Sequence, residues 1–72
     1  MYGRDRIYKK VEIIGVSKKS IEAAIEVALD KARESLQEMS WFEVEGIRGH
    51  IGPDGRIAEF QVVIKVAFHV KD

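Results

Sequence analysis

The residues that could do chemistry fall on two stretches, WFEVEGIRGHI at 41–51 and FQVVIKVAF at 60–68. Trp41 is the single tryptophan. Its ring is a flat platform on which a planar aromatic ligand can stack. The plainer role is packing at a strand end or an oligomer contact, since tryptophan is common at interfaces. Arg48 offers a rigid fork of donors suited to a phosphate. Its plainer role is a surface ion pair with Glu45 or Glu59, and such pairs contribute little. The amide of Gln61 donates and accepts at once, as the edge of a heterocycle requires. Cross-strand hydrogen bonding is the alternative. His50 and His69 have no nucleophile partner in view, and they do not form a cluster with metal-ligand spacing. There is no Ser/His/Asp triad and no isolated carboxylate pair. No catalytic residue and no metal ligand is assigned, and the chain is expected not to be an enzyme.

Glycines recur at 46, 49, 52 and 55. They do not open a helix, so a dinucleotide or phosphate loop is excluded. GIRG at 46–49 matches the GxxG of KH domains, but that loop joins two helices and this one lies within a strand.

Positioning these residues takes four elements. The chain has 72 residues, enough for one domain, taken as 1–72 with a loose tail at 1–6. From Ile7 apolar and polar residues alternate. This predicts a strand with its odd-numbered face inward, ended by Gly15. Ser17 or Ser20 can cap the following helix, with Ser17 preferred. Ile21, Ala24, Ile25, Ala28, Leu29, Ala32, Leu36 and Met39 form one apolar stripe, which predicts a helix to about Met39. Glu34 and Glu38 then lie at its unfavourable end, where basic partners from elsewhere would be needed.

A second strand runs from Trp41 to Ile51. Phe42 and Val44 share one parity while Ile47 and Ile51 share the other, so a bulge is expected at Glu45–Gly46. The GPDG run at 52–55 is a turn. The third strand, Ile57 to Val70, carries an unbroken apolar face from Phe60 to Val70. Being the most apolar, it is expected between the other two. The fold class is therefore α+β: a β-α-β-β protomer with a fully antiparallel sheet of order 1-3-2, curled around one helix. The mixed outer face and the two open edges point to further chains.

Composition agrees. A chain this short buries only roughly 60% of its unfolded surface. It has no cysteine, so oligomerisation is the leading way to complete the core. Lys and Arg number 12, as do Asp and Glu, and this balance argues against a sequence-independent nucleic-acid binder. No apolar run approaches a membrane span, and MYGRDRIYKK lacks the apolar core of a signal peptide. A cytoplasmic protein with no nucleic-acid or membrane partner is expected.

From about Tyr8 to Val70 the chain resembles the dodecins. The matching segments are YKKVEIIGVS at 8–17, the Ala-rich helix, WFEVEGIRGHI at 41–51 and FQVVIKVAF at 60–68. The resemblance implies a small flavoprotein that assembles as a hollow homododecamer of cubic symmetry. It places Trp41 at the tryptophan that stacks on the flavin ring, with two flavins between two such tryptophans at a twofold axis. It places Gln61 at the glutamine that bonds the flavin's polar edge, and Arg48 at the arginine that meets the FMN phosphate. FMN is thus the implied cofactor, with riboflavin, FAD and lumichrome as the other flavins in play. The implied function is flavin storage, with the tryptophan quenching the excited flavin by electron transfer.

Coenzyme A is a surface ligand of some bacterial members. Ala67–Phe68–His69, in place of the commoner Gly-Phe-Arg, counts against it here. Members that bind calcium lack the tryptophan. Gly46 stands where a larger residue is usual. Counting back from the turn pairs Trp41 near Val66 and Gln61 near Gly46, roughly 17 Å apart at 3.3 Å per residue. Each flavin is then expected to be held by more than one chain. The competing classes are an oligomeric interaction module without flavin and an RNA-binding module.

Overall fold

The computed structural model describes residues 5–71. The elements are β1 (Ile7–Ser17), α1 (Ile21–Ala32), β2 (Met39–Ile51) and β3 (Ile57–Val70). The sheet order is β1-β3-β2, with both flanking strands antiparallel to β3. This is the expected β-α-β-β protomer. The tail expected over 1–6 falls mostly on residues outside the described ones. Asp5 and Arg6 lie outside regular structure, and the Arg6 guanidinium stands 5.8 Å from the centre of the Tyr8 ring.

The core is where α1 lies on the sheet. Ala24 and Ala28 of the helix meet Val62, Ile64 and Val66 of β3, with Ile13, Ile25, Leu29, Leu36 and Met39 packed around them. Small residues at a spacing of four let the helix backbone come close to the strands. Gly15 serves the same approach. A Cβ there would collide with the backbone carbonyl of Ala24 and come within 3.0 Å of the Ala28 Cβ. Gly15 does not end the first strand, which continues to Ser17. It is the place where α1 crosses β1.

Two helix boundaries differ from expectation. Ser20, not Ser17, is the N-cap, and its hydroxyl accepts from the Ala23 amide at 3.0 Å. Ser17 closes β1 and accepts from the Lys19 amide instead. The helix stops at Ala32 rather than near Met39. There the hydrogen bonds tighten to Glu34→Lys31 and Ser35→Ala32, the shorter spacing common at helix ends. Leu36 and Met39 still reach the core, which is why the helical stripe runs past the helix. Glu38 takes φ 58, a conformation no helical residue adopts, and turns the chain into β2. Its carbonyl accepts from the His69 amide at 3.0 Å. Of the two glutamates at this end, Glu38 finds a basic group from elsewhere, Lys71 at 2.8 Å, while Glu34 meets Lys31 of α1 itself at 3.2 Å.

The bulge is where parity puts it, with a register shift between Val44 and Gly46 that leaves Glu45 as the extra residue. Gly55 has φ +81 and donates to the Gly52 carbonyl, while Asp54 accepts from the Arg56 amide. These bonds close the turn joining β2 and β3.

The helix packs on β1 and β3 rather than on β2. Phe42, Val44 and Ile47 pair with the buried Val66, Ile64 and Val62, so they share the helix-side face. They stay 42%, 45% and 55% exposed. The molecule is a plate of 53 × 20 × 16 Å, and its own helix covers only part of its apolar face.

Candidate functional site

The face turned away from α1 is assembled in rows across the three strands. The register sets Lys10 and Trp41 on either side of Ala67, Glu12 and Glu43 on either side of Lys65, and Val16 and Arg48 on either side of Gln61. Trp41 and Gln61 thus share one face, as period-2 alternation requires.

At one end, Trp41 is 44% exposed. Its indole Nε1 donates to Glu43 Oε2 at 3.0 Å, and Lys10 Nζ donates to the same oxygen at 2.9 Å. These two donors, Lys10 first and then Trp41, hold the Glu43 carboxyl below the usual glutamate range. The Tyr8 ring from β1 comes within 4.9 Å of the Trp41 ring, tilted by 58°. Ala67, opposite Trp41 in the register, is on this face and yet fully buried. A small residue at the centre of the sheet lets the aromatics of the two flanking strands approach.

At the other end, Arg48 Nε donates to Gln61 Oε1 at 2.7 Å, and Gln61 Nε2 donates to Glu59 Oε2 at 2.8 Å. Arginine only donates and a carboxylate only accepts, so this chain of bonds fixes which way the Gln61 amide points. One N–H and one lone pair of the amide remain, as do the terminal nitrogens of the guanidinium.

Of the residues singled out by chemistry, Arg48 and Gln61 are therefore brought together, and Trp41 is not with them. Arg48 pairs with neither Glu45 nor Glu59. Glu45 lies 3.8 Å from Lys65. Trp41 pairs with Ala67 rather than Val66, and Gln61 with Arg48 rather than Gly46. A further irregularity between His50 and Ile51 shifts the hairpin by one residue before the bulge shifts it back. Six residues of β3 separate the rows of Trp41 and Gln61, roughly 20 Å at 3.3 Å per residue. His50 faces Glu59 across the strands. His69 meets the Tyr8 ring edge-on at 5.5 Å and lies 3.6 Å from Glu38. Glu38 is held below its ordinary range, chiefly by its bond to Lys71, which is raised in turn by Glu38.

Tyr8, Lys10 and Glu43 were not expected here, and Glu59, expected as a partner of Arg48, is bonded to Gln61 instead. Glu43 and Glu59 each stand two residues from a singled-out position on the same strand, a spacing that puts both on one face. Tyr8 and Lys10 depend on the β1–β3 register and have no such signal. Among the described residues no group of three or more His, Asp or Glu could hold a metal ion, and no helix is long and apolar enough to cross a membrane.

Comparison with known proteins follows the same strands. The dodecin family matches residues 7–71. A curated relative, the dodecin of Thermus thermophilus, is 48% identical over 67 residues, covering 93% of this chain and 96% of its own. The crystal structure of the tt0972 protein from Thermus thermophilus superposes with a TM-score of 0.88 at 47% identity, covering 94% of this chain and 98% of that one. Dodecin from Streptomyces davaonensis superposes with a TM-score of 0.89 at 33% identity, covering 96% and 100%.

Proposed function

The chain belongs to the dodecin family, and from that premise we propose that it stores FMN-type flavin at Trp41, Arg48 and Gln61. The family is one of small, non-enzymatic binding proteins whose members form homo-oligomers. The observation that carries the reading is the make-up of the outer face. A half-exposed indole lies at one end, and an oriented amide bonded to a guanidinium lies at the other.

The residues fit the group. Trp41 offers an open aromatic face for a heterocycle to stack on. The donor and acceptor left on Gln61 suit an edge that carries both functions. Arg48 keeps its terminal nitrogens for a phosphate, which favours FMN over riboflavin. Trp41, stacked on a bound flavin, would give one electron to its excited state and take it back, and this quenching would protect the stored molecule. Storage needs no general acid or base.

The separation of Trp41 from Gln61 exceeds the length of one three-ring heterocycle. Each flavin is therefore shared between copies, and the site is complete only in the oligomer. The exposed Phe42, Val44 and Ile47 supply apolar surface for that assembly. The proposal is a homododecamer working in the cytoplasm, with flavins paired between tryptophans.

The test is a titration of FMN with ligand-free protein, followed by flavin fluorescence, with Trp41→Ala alongside. Strong quenching that saturates near one flavin per chain is expected, with at least about tenfold weaker binding in the variant, given the ring contact and area lost. Undiminished fluorescence at excess protein would leave an oligomeric module of dodecin fold that holds no flavin.

A further inference from the structure

An indole on an open sheet face swings about two side-chain torsions unless it is held. Stacking rewards one orientation of the ring plane, so freedom of the ring works against it. Trp41 is held on two sides. Its N–H is tied to Glu43 Oε2 at 3.0 Å, and the Tyr8 ring lies against it at 4.9 Å. Glu43 does not stand alone either. Lys10 grips the same carboxylate oxygen at 2.9 Å from the far side of β3. Lys65 lies opposite Glu43 in the register and adds favourable charge. The arrangement spans all three strands: Tyr8 and Lys10 on β1, Ala67 and Lys65 on β3, Trp41 and Glu43 on β2.

We propose that the Lys10–Glu43 pair is a brace that sets the plane of the Trp41 ring, so that it governs how efficiently a bound flavin is quenched. Glu43 and Lys10 are positioning residues: they act through the indole and need not touch the ligand. The inference rests on the flavin reading for its consequence and on the protein's own geometry for its mechanism. The two can be tested apart.

Because Trp41 is the sole tryptophan, the long-wavelength tryptophan band of near-UV circular dichroism, and the fluorescence anisotropy decay excited beyond tyrosine absorption, report this ring. In the ligand-free oligomer, Glu43→Ala is expected to flatten the near-UV tryptophan band and add a fast, large-amplitude anisotropy component. Glu43→Gln keeps an acceptor for the indole N–H but loses the charge that holds Lys10, so it should fall between Glu43→Ala and the parent. Lys10→Ala should match Glu43→Gln. With FMN bound, the residual fluorescence of the bound fraction should rise in the same order. Affinity should fall only about two- to tenfold in Glu43→Ala, the effect of leaving one side chain to be ordered on binding. Glu43→Gln is nearly isosteric and guards against loss of folding, which far-UV circular dichroism and sedimentation would reveal. Ring mobility in Glu43→Gln and Lys10→Ala indistinguishable from the parent would overturn the brace. If the parent itself quenched no FMN, the flavin reading would fall, while the anisotropy of the ligand-free variants would still decide whether the brace exists.

Discussion

The two ends of the outer face use the same three strands and differ in what holds their key side chain. At the Trp41 end the functional group is an apolar ring. It is bonded to Glu43, which Lys10 also grips, and it lies against Tyr8. At the Arg48 end the functional groups are polar and orient one another, Arg48 to Gln61 to Glu59. On the proposed reading, the first end would stack and quench without choosing among flavins, because all of them share the ring system. The second end can choose, because hydrogen bonds are directional and a phosphate is charged. A platform needs its plane fixed from outside, whereas a chain of donors and acceptors fixes its own polarity. On the proposed flavin reading, a separation of roughly 20 Å would let platform and selector of one chain serve a shared site only when copies meet.

The comparison breaks most completely with Gly15→Ala. The added methyl group meets the Ala24 carbonyl, lifting α1 off the sheet that carries both ends. Overpacking of this kind costs about 1–3 kcal/mol. Urea unfolding followed by Trp41 emission should show a lower midpoint, with FMN binding lost in the same transition. Unchanged stability would mean that the helix does not cross as closely as the geometry states.

The next effect separates the ends. Arg48→Ala should weaken FMN about tenfold, equivalent to about 1.4 kcal/mol for the loss of charged hydrogen bonds at an exposed site. Riboflavin should lose less, through the freed Gln61 amide alone. Quenching of whatever stays bound should be unchanged in both cases. Equal losses for FMN and riboflavin would remove the phosphate role from Arg48.

Acid has the smallest effect. The Glu43 carboxyl is depressed by Lys10 and Trp41, so its pairing is fully present above the ordinary glutamate pKa of about 4.3. It is lost as pH falls through the lower folded value. The near-UV tryptophan signal of the ligand-free protein should therefore stay constant through the ordinary glutamate range and weaken only below it. In Glu43→Gln that step should be absent.

Strand parity and turn chemistry made much of the fold legible. The apolar run of β3, the slip in parity at Glu45 and the GPDG turn each rest on neighbours within a few residues, and each reappears in the structure. The helix extends less far than the spacing predicts because Leu36 and Met39 keep helical spacing while packing from the connection after α1 and from the start of β2. Ser17 and Ser20 offered the same capping chemistry, and the extension of β1 to Ser17 decided between them.

Of the candidate site, the residue types were legible and their neighbours were not. Trp41, Arg48 and Gln61 announce stacking, charge and directional bonding by what they are. That Arg48 lies opposite Gln61 depends on one irregularity between His50 and Ile51. That Trp41 meets Tyr8 and shares Glu43 with Lys10 depends on how β1 registers against β3. The amino-acid sequence by itself determined the period-2 faces, the order of elements and the chemistry available on each strand, because these follow from local sterics and hydrophobic alternation. The tertiary structure alone decided which side chains meet, where α1 stops, and that the inner face of β2 is left uncovered. Those outcomes depend on packing between residues far apart in the chain, which no local pattern encodes.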